Sequence, residues 1–136
     1  MFQQVTIVGN LGRDPEMRYT AEGTPVTNMS VAVNAKWSGQ DGVQHEQVTW
    51  FRISAWRRLA EVCNQYLTKG RQVMVIGTLR PDENGNPRIW TDNEGAPRAS
   101  FELTAQTVKF LGGRGSGGGD GDEPGASPEE GEEIPF

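Results

Sequence analysis

Apolar and polar positions alternate at the start of the chain, in Phe2-Gln-Gln-Val-Thr-Ile-Val-Gly, where the β-branched Val5 and Ile7 share one face. A period of two belongs to an extended strand with one buried side, so the segment is predicted as a strand. It stops at Gly9-Asn10-Leu11-Gly12-Arg13-Asp14-Pro15, a cluster of turn formers that predicts a tight loop. Alternation returns in Pro25 to Asn34, with Met29, Val31 and Val33 in phase, and a third strand follows in the β-branched and aromatic run from Val48 to Trp56. Between these two lies the polar stretch Ser38 to Gln44, with Gly39 and Gly42, which reads as a loop.

At Leu59 the period changes. Leu59, Val62, Cys63, Tyr66 and Leu67 fall at the spacing of one helical face, with Glu61, Asn64 and Gln65 opposite, and Lys69-Gly70 supplies a stop. Alternation resumes in Gln72 to Arg80, a fourth strand. Two turn signals, Asp82-Glu-Asn-Gly-Asn-Pro and Asp92-Asn-Glu-Gly-Ala-Pro, then flank Arg88-Ile-Trp-Thr, so this insertion is predicted as an exposed hairpin. Ala99 to Phe110 makes the fifth strand. The order β-β-β-α-β-β with a long loop before the last strand matches a five-stranded Greek-key OB-fold barrel, mainly β, with one helix between the third and fourth strands. The loops and open face of such barrels bind oligonucleotides or oligosaccharides.

Charge changes the picture only once it is located. The 136 residues carry 13 Lys and Arg against 18 Asp and Glu, a net −5 that taken whole argues against a polyanionic partner. From Met1 to Leu111, however, there are 12 basic and 11 acidic residues, a net of +1, whereas Gly112 to Phe136 holds one basic and 7 acidic residues, a net of −6. Glycine divides at the same point, 9 in the first 111 residues and 9 in the last 25. Residues 1–111 are thus predicted as one globular domain that binds and assembles, 112–131 as a disordered, Gly-rich acidic linker, and 132–136 as a separate tip. No apolar run approaches the ~18–20 residues of a membrane span, and the N-terminus lacks a basic leader, so neither a membrane nor secretion is expected. A lone Cys63 and a lone His45 supply neither an intrachain disulfide nor a His/Cys zinc site; no metal, no cofactor and a reducing cytoplasmic setting are expected.

Catalytic patterns are weak. Val8-Gly-Asn-Leu-Gly lacks the Gly-Lys-Ser/Thr ending of a phosphate loop, and the glycines from Gly112 to Gly119 have no strand-turn-helix around them. His45, in a polar loop beside Glu46, reads as a solvated surface residue, and Cys63 as a small core filler. What stands out is four tryptophans, Trp37, Trp50, Trp56 and Trp90, interleaved with Lys36, Arg52, Arg57, Arg58 and Arg88. Sequence-independent binders of single strands need this mixture, because every base has a face to stack on a ring while cations follow the phosphates. Trp37 borders a polar loop and Trp90 sits between charged turns, where burial is hard to arrange, so both read as binding residues. For Trp50, inside a strand, core and binding readings stand level.

Several stretches together resemble the bacterial single-stranded DNA-binding protein family: Val8-Gly-Asn-Leu-Gly-Arg-Asp-Pro-Glu-Met-Arg-Tyr, Glu46-Gln-Val-Thr-Trp-Phe-Arg, Leu59-Ala-Glu with Tyr66-Leu-Thr-Lys-Gly, Trp90-Thr-Asp-Asn-Glu-Gly and the acidic end closing on Ile134-Pro135-Phe136. The resemblance spans essentially the whole chain. It implies a homotetramer of OB-folds that wraps single-stranded DNA in replication, recombination and repair, associated with the nucleoid and without enzymatic activity. It also implies that Trp37, Trp50, Trp56 and Trp90 stack on bases, Trp56 standing where the family often has Phe. The segment Pro81 to Pro87 departs from the family by lengthening the loop before Trp90. In the tip, Glu132, Glu133, Ile134, Pro135 and Phe136 combine a ring, a rigid proline and acids, a set suited to a basic-rimmed apolar pocket on a partner enzyme. Two rival readings are an OB-fold that binds RNA, since ring stacking does not distinguish the sugars, and an oligomeric scaffold that only displays the tail.

Overall fold

The computed structural model describes residues 1–112; the linker from residue 113 onward and the tip 132–136, with their predicted disorder and partner binding, lie outside the described residues. Eight strands and one helix follow in the order β1 (Val5–Leu11), β2 (Glu16–Tyr19), β3 (Pro25–Ser38), β4 (Gln44–Trp56), α1 (Arg58–Tyr66), β5 (Gln72–Leu79), β6 (Ile89–Thr91), β7 (Pro97–Ala99) and β8 (Phe101–Leu111). Five of them close a barrel: β1 pairs β5, β5 pairs β8, β8 pairs β4 in parallel, β4 pairs β3, and β3 returns to β1 at Asn10↔Ala32 and Leu11↔Val31. This is the five-stranded barrel of an OB-fold, with α1 between its third and fourth strands.

Alternation decides what fills the barrel. Ile7 and Leu11 of β1, Met29 and Val31 of β3, Ile53 and Ala55 of β4, Val73 and Val75 of β5, and Leu103 and Val108 of β8 are buried together. At two places strands approach too closely for any side chain: a Cβ on Gly9 would sit on the Ala32 carbonyl oxygen, and one on Gly77 on that of Thr104. Gly77 also marks the register shift at which β8 carries one extra residue, Gln106, against β5. Helix α1 plugs one end through Leu59, Ala60, Val62 and Cys63, and the buried Thr27 hydroxyl donates to the Ala60 carbonyl at 2.7 Å. None of the described helices is long and apolar enough to cross a membrane.

Four local expectations change. The tight loop read at Gly9 to Pro15 begins later, because β1 runs on to Leu11, and β2, too short and too polar to show a period, follows it against β3. The loop read over Ser38 to Gln44 shrinks to Gly39–Val43, where Gly39 N–H bonds the Val43 carbonyl at 2.9 Å. Tyr66, on the predicted apolar face, is 53% exposed, its ring set beside Phe110 while Leu67 takes the buried place. The fifth strand begins at Phe101, since Pro97–Ala99 pairs with β6 in the insertion hairpin.

Candidate nucleic-acid interface

β3 and β4 run antiparallel through thirteen consecutive pairs without a register shift, so the period of two holds along the whole ribbon. Phe51, Ile53 and Ala55 face the barrel interior, and Trp50, Arg52 and Trp56 therefore share the outer face, spread over about 20 Å of strand. Both rings are open to solvent, Trp50 at 52% and Trp56 at 38% exposure, which resolves Trp50 away from the core. Trp50 lies against the backbone of Gly12: a Cβ there would stand 2.5 Å from its Cζ3 and 2.6 Å from its Cη2. The outer edge of the indole thus abuts the main chain of Gly12, while the ring stays half open to solvent. Across the sheet, Arg18 pairs with Val26 and Val26 with Trp56, so Arg18 joins the same outer row. The sequence reading missed Arg18 because β2 carries no visible period.

Beside Arg52 the parallel register sets Glu102 of β8. Its carboxylate, only 10% exposed, receives three guanidinium groups, from Arg80 at 3.3 Å, Arg88 at 3.6 Å and Arg52 at 3.9 Å. Arg52 also lies over the Trp90 ring, 5.9 Å from its centroid, within cation–π range. Trp90 is fixed in turn by a hydrogen bond from Nε1 to Ser100 Oγ at 3.1 Å, and Arg88 Nη1 donates to the Pro81 carbonyl at 3.3 Å. Glu102 thus joins strands β4, β5 and β8 to the insertion and gathers three cations, one of them over the Trp90 ring. Arg80 and Glu102 went unread; nothing local in the sequence marks either, since only the β4–β8 and β5–β8 pairings unite them.

The insertion is rigidified by two turns of one design. Asp82 Oδ1 accepts the N–H groups of Asn84 and Asn86, and Asp92 Oδ1 those of Glu94 and Ala96; Gly85 and Gly95 both take φ 83°. The N–H groups of Asn86 and Asn84 hold the Asp82 carboxyl below its usual range, and the Arg98 guanidinium, at 2.8 Å, does so for Asp92 with help from the Ala96 N–H. Arg88, the counterpart of Arg98 in the first turn, instead reaches Glu102.

Not every predicted residue joins this surface. Trp37, 47% exposed, pairs with His45 across the ribbon, and their rings stack at 5.5 Å and 22°. By alternation this pair continues the interior face beyond the barrel, opposite to Trp50, whereas Lys36, paired with Glu46, lies on the Trp50 side. His45 is exposed as read, but it is also Trp37's partner. Arg57 and Arg58 stand just past Trp56, both exposed, with Arg58 3.7 Å from Glu61. Cys63 is fully buried, and desolvation pushes its thiol up to about 12, consistent with a core filler. Among the described residues no group of three or more His, Cys, Asp or Glu is placed to hold a metal ion.

Comparison with known proteins points the same way. The Single-strand binding protein family profile matches residues 2–111. Single-stranded DNA-binding protein 1 of Chlorobaculum tepidum is 39% identical over 120 residues, covering 88% of this chain and 70% of the relative. The single-stranded DNA-binding protein of Neisseria meningitidis is 37% identical over 128 residues, covering 94% of this chain and 67% of its own. Among solved structures, a Plasmodium falciparum SSB in complex with ssDNA has the same fold, with TM-score 0.68 at 24% identity over 82% of this chain and 96% of that one. With a family match across the barrel and relatives of this identity over most of the length, the chain belongs to the single-strand binding protein family.

Proposed function

We propose that the protein binds single-stranded DNA without regard to sequence and performs no reaction. One observation carries the reading: rings and guanidinium groups alternate along the outer face of β4, at Trp50, Arg52 and Trp56, with Trp90 held against Arg52. Rings that stack on any base beside cations that meet any phosphate are what sequence-independent binding requires. The names of the relatives support the same ligand. Titration with poly-dT at several salt concentrations tests it. Tryptophan emission should be quenched, with affinity falling by roughly 0.7 in log units per phosphate neutralised for each log unit of salt. Unchanged emission at saturation would overturn the reading, and tighter binding of poly-U than of poly-dT would redirect it to RNA.

The finer reading is that the protein coats and protects single strands in replication, recombination and repair, at the nucleoid, as a homotetramer. Half-buried Met74 and Ile76 of β5 lie in register with exposed Val8 and Thr6 of β1, an apolar strip on the barrel's outside. Among the described residues β1 has no second neighbour before Asn10, which leaves its edge open to another copy. Recruitment of partner enzymes is assigned to Glu132, Glu133, Ile134, Pro135 and Phe136. Pull-down from cell extract on DNA-loaded protein tests it: loss of Ile134 to Phe136 should abolish recovery of partners and leave DNA binding unchanged, and equal recovery would reduce the tip to a solubilising charge.

A further inference from the structure

β8 joins β4 only from Phe51 onward, which leaves the edge of β4 opposite β3, from Gln47 to Trp50, with no strand beside it among the described residues. An open groove follows that edge, lined by Val48, Trp50, Arg52, Ser100 and Phe101 among others. Phe101 is 60% exposed, an unusual place for a large ring at the first residue of a barrel strand. Its ring is steadied on one side by Phe51, 5.6 Å away at 37°, and its other side opens to the groove. Around the strand edge, on the opposite face of the sheet from Phe101, stand the three guanidinium groups gathered on Glu102, three cations against one carboxylate, with Arg52 also lining the groove. The groove thus offers a flat apolar ring, strand-edge main-chain groups that face away from β3, and an excess of positive charge at its rim.

We infer that this groove is a nucleobase subsite, in which one base of a bound single strand stacks on Phe101 while Arg52 and its neighbours meet the adjoining phosphate. The inference rests on the single-stranded DNA reading and extends the path from the Trp50–Trp56 row toward Trp90. A base fits better than an apolar side chain from another protein, because the edge of a base can bond the free main-chain groups of β4 and its phosphate matches the local charge. An aliphatic residue at 101 keeps the packing on Phe51 and loses only the aromatic face, so Phe101→Leu separates stacking from folding.

The test uses the full chain with oligo-dT carrying 5-iodo-deoxyuridine, irradiated and mapped by peptide mass, beside fluorescence titration of Phe101→Leu. A cross-link to Phe101, with affinity for oligo-dT in Phe101→Leu weakened roughly five- to a hundredfold at an unchanged thermal midpoint, is the expected result. No cross-link at Phe101 and affinity within twofold of the parent, while the parent's tryptophans are still quenched, would overturn the subsite and leave the DNA reading standing. A parent that does not bind would overturn that reading itself. A change in sedimentation mass of Phe101→Leu would overturn the subsite by giving the groove to a second copy of the chain.

Discussion

Arg57 stands where β4 gives way to α1 with φ 59° and ψ −126°, the one described non-glycine residue at positive φ. Such a conformation costs about 1–3 kcal/mol in a residue with a Cβ. With Arg58 it also sets two positive charges at the start of a helix that has no side-chain cap, against the positive end of the helix dipole. On the proposed DNA-binding reading these costs are offset outside the fold, where Arg57 stands beside Trp56. Arg57→Gly should therefore raise the urea midpoint, a net gain of about 1 kcal/mol after glycine's greater unfolded-state freedom. The same change should weaken poly-dT binding and flatten the salt dependence by about 0.7, one phosphate contact; an unchanged slope would move the cationic track elsewhere. Gly12 is the reverse case, a glycine whose lack of a side chain makes room for the outer edge of the Trp50 indole. In Gly12→Ala the new methyl meets only the far end of the exposed Trp50 ring, so the thermal midpoint should barely move while the ring tips away and affinity for poly-dT drops. Equal affinity would show that Trp50 needs no backing.

At the scale of elements, the five barrel strands and α1 were legible because each buries one side and keeps its period long enough to be read. β2 was not, since four residues against the edge of β3 bury almost nothing. The faces of the tryptophans were half legible. Within β4 the even spacing of Trp50 and Trp56 fixes them together, whereas Trp37 takes the phase of Met29, Val31 and Val33 only because β3 runs unbroken to Ser38, past the end of its readable period. The polar composition of Ser38 to Gln44 hides how far that strand extends, and the Gly39–Val43 turn sets its end. Glu102 was illegible for a different reason: a carboxylate inside an alternating strand is an ordinary solvated position until parallel pairing sets Arg52 beside it. The insertion hairpin, by contrast, announced itself through its Asp and Gly signals, and its turns carry a pH dependence. Asp92 titrates lower in the folded hairpin than its usual 3.8, so the deprotonated form strengthens the turn. That contribution is complete above the usual value and disappears as pH falls through the lowered one. Protection of the Glu94 and Ala96 amides, their exchange rates taken relative to the intrinsic rate at each pH, should hold constant down to about pH 4 and fall below it; protection already lost between pH 6 and 5 would count against the Asp92 turn.

Over the whole molecule the dominant feature is the separation of charge, +1 across residues 1–111 and −6 beyond. If the barrel binds DNA as proposed, a tail of that charge competes with phosphate for the same cations, a competition that salt suppresses as the screening length shrinks toward ~10 Å at 0.1 M. Truncation after Leu111 should tighten poly-dT binding at low salt and make no difference at high salt; a gain that persists at high salt would mean that the tail acts by something other than charge. The proposed assembly belongs to the same scale, and sedimentation at 14.9 kDa at micromolar concentration would exclude it. The gathering of arginines on Glu102 bears on how such a particle leaves its ligand. Three guanidinium groups carry roughly fifteen N–H donors, while one carboxylate has about four acceptor positions. A phosphate can thus be taken up without baring Glu102 and given up without stranding an arginine. Arrival and departure become a hand-over among standing partners, made of small reversible exchanges, and a chain held in that way can creep along a strand without first letting go of it.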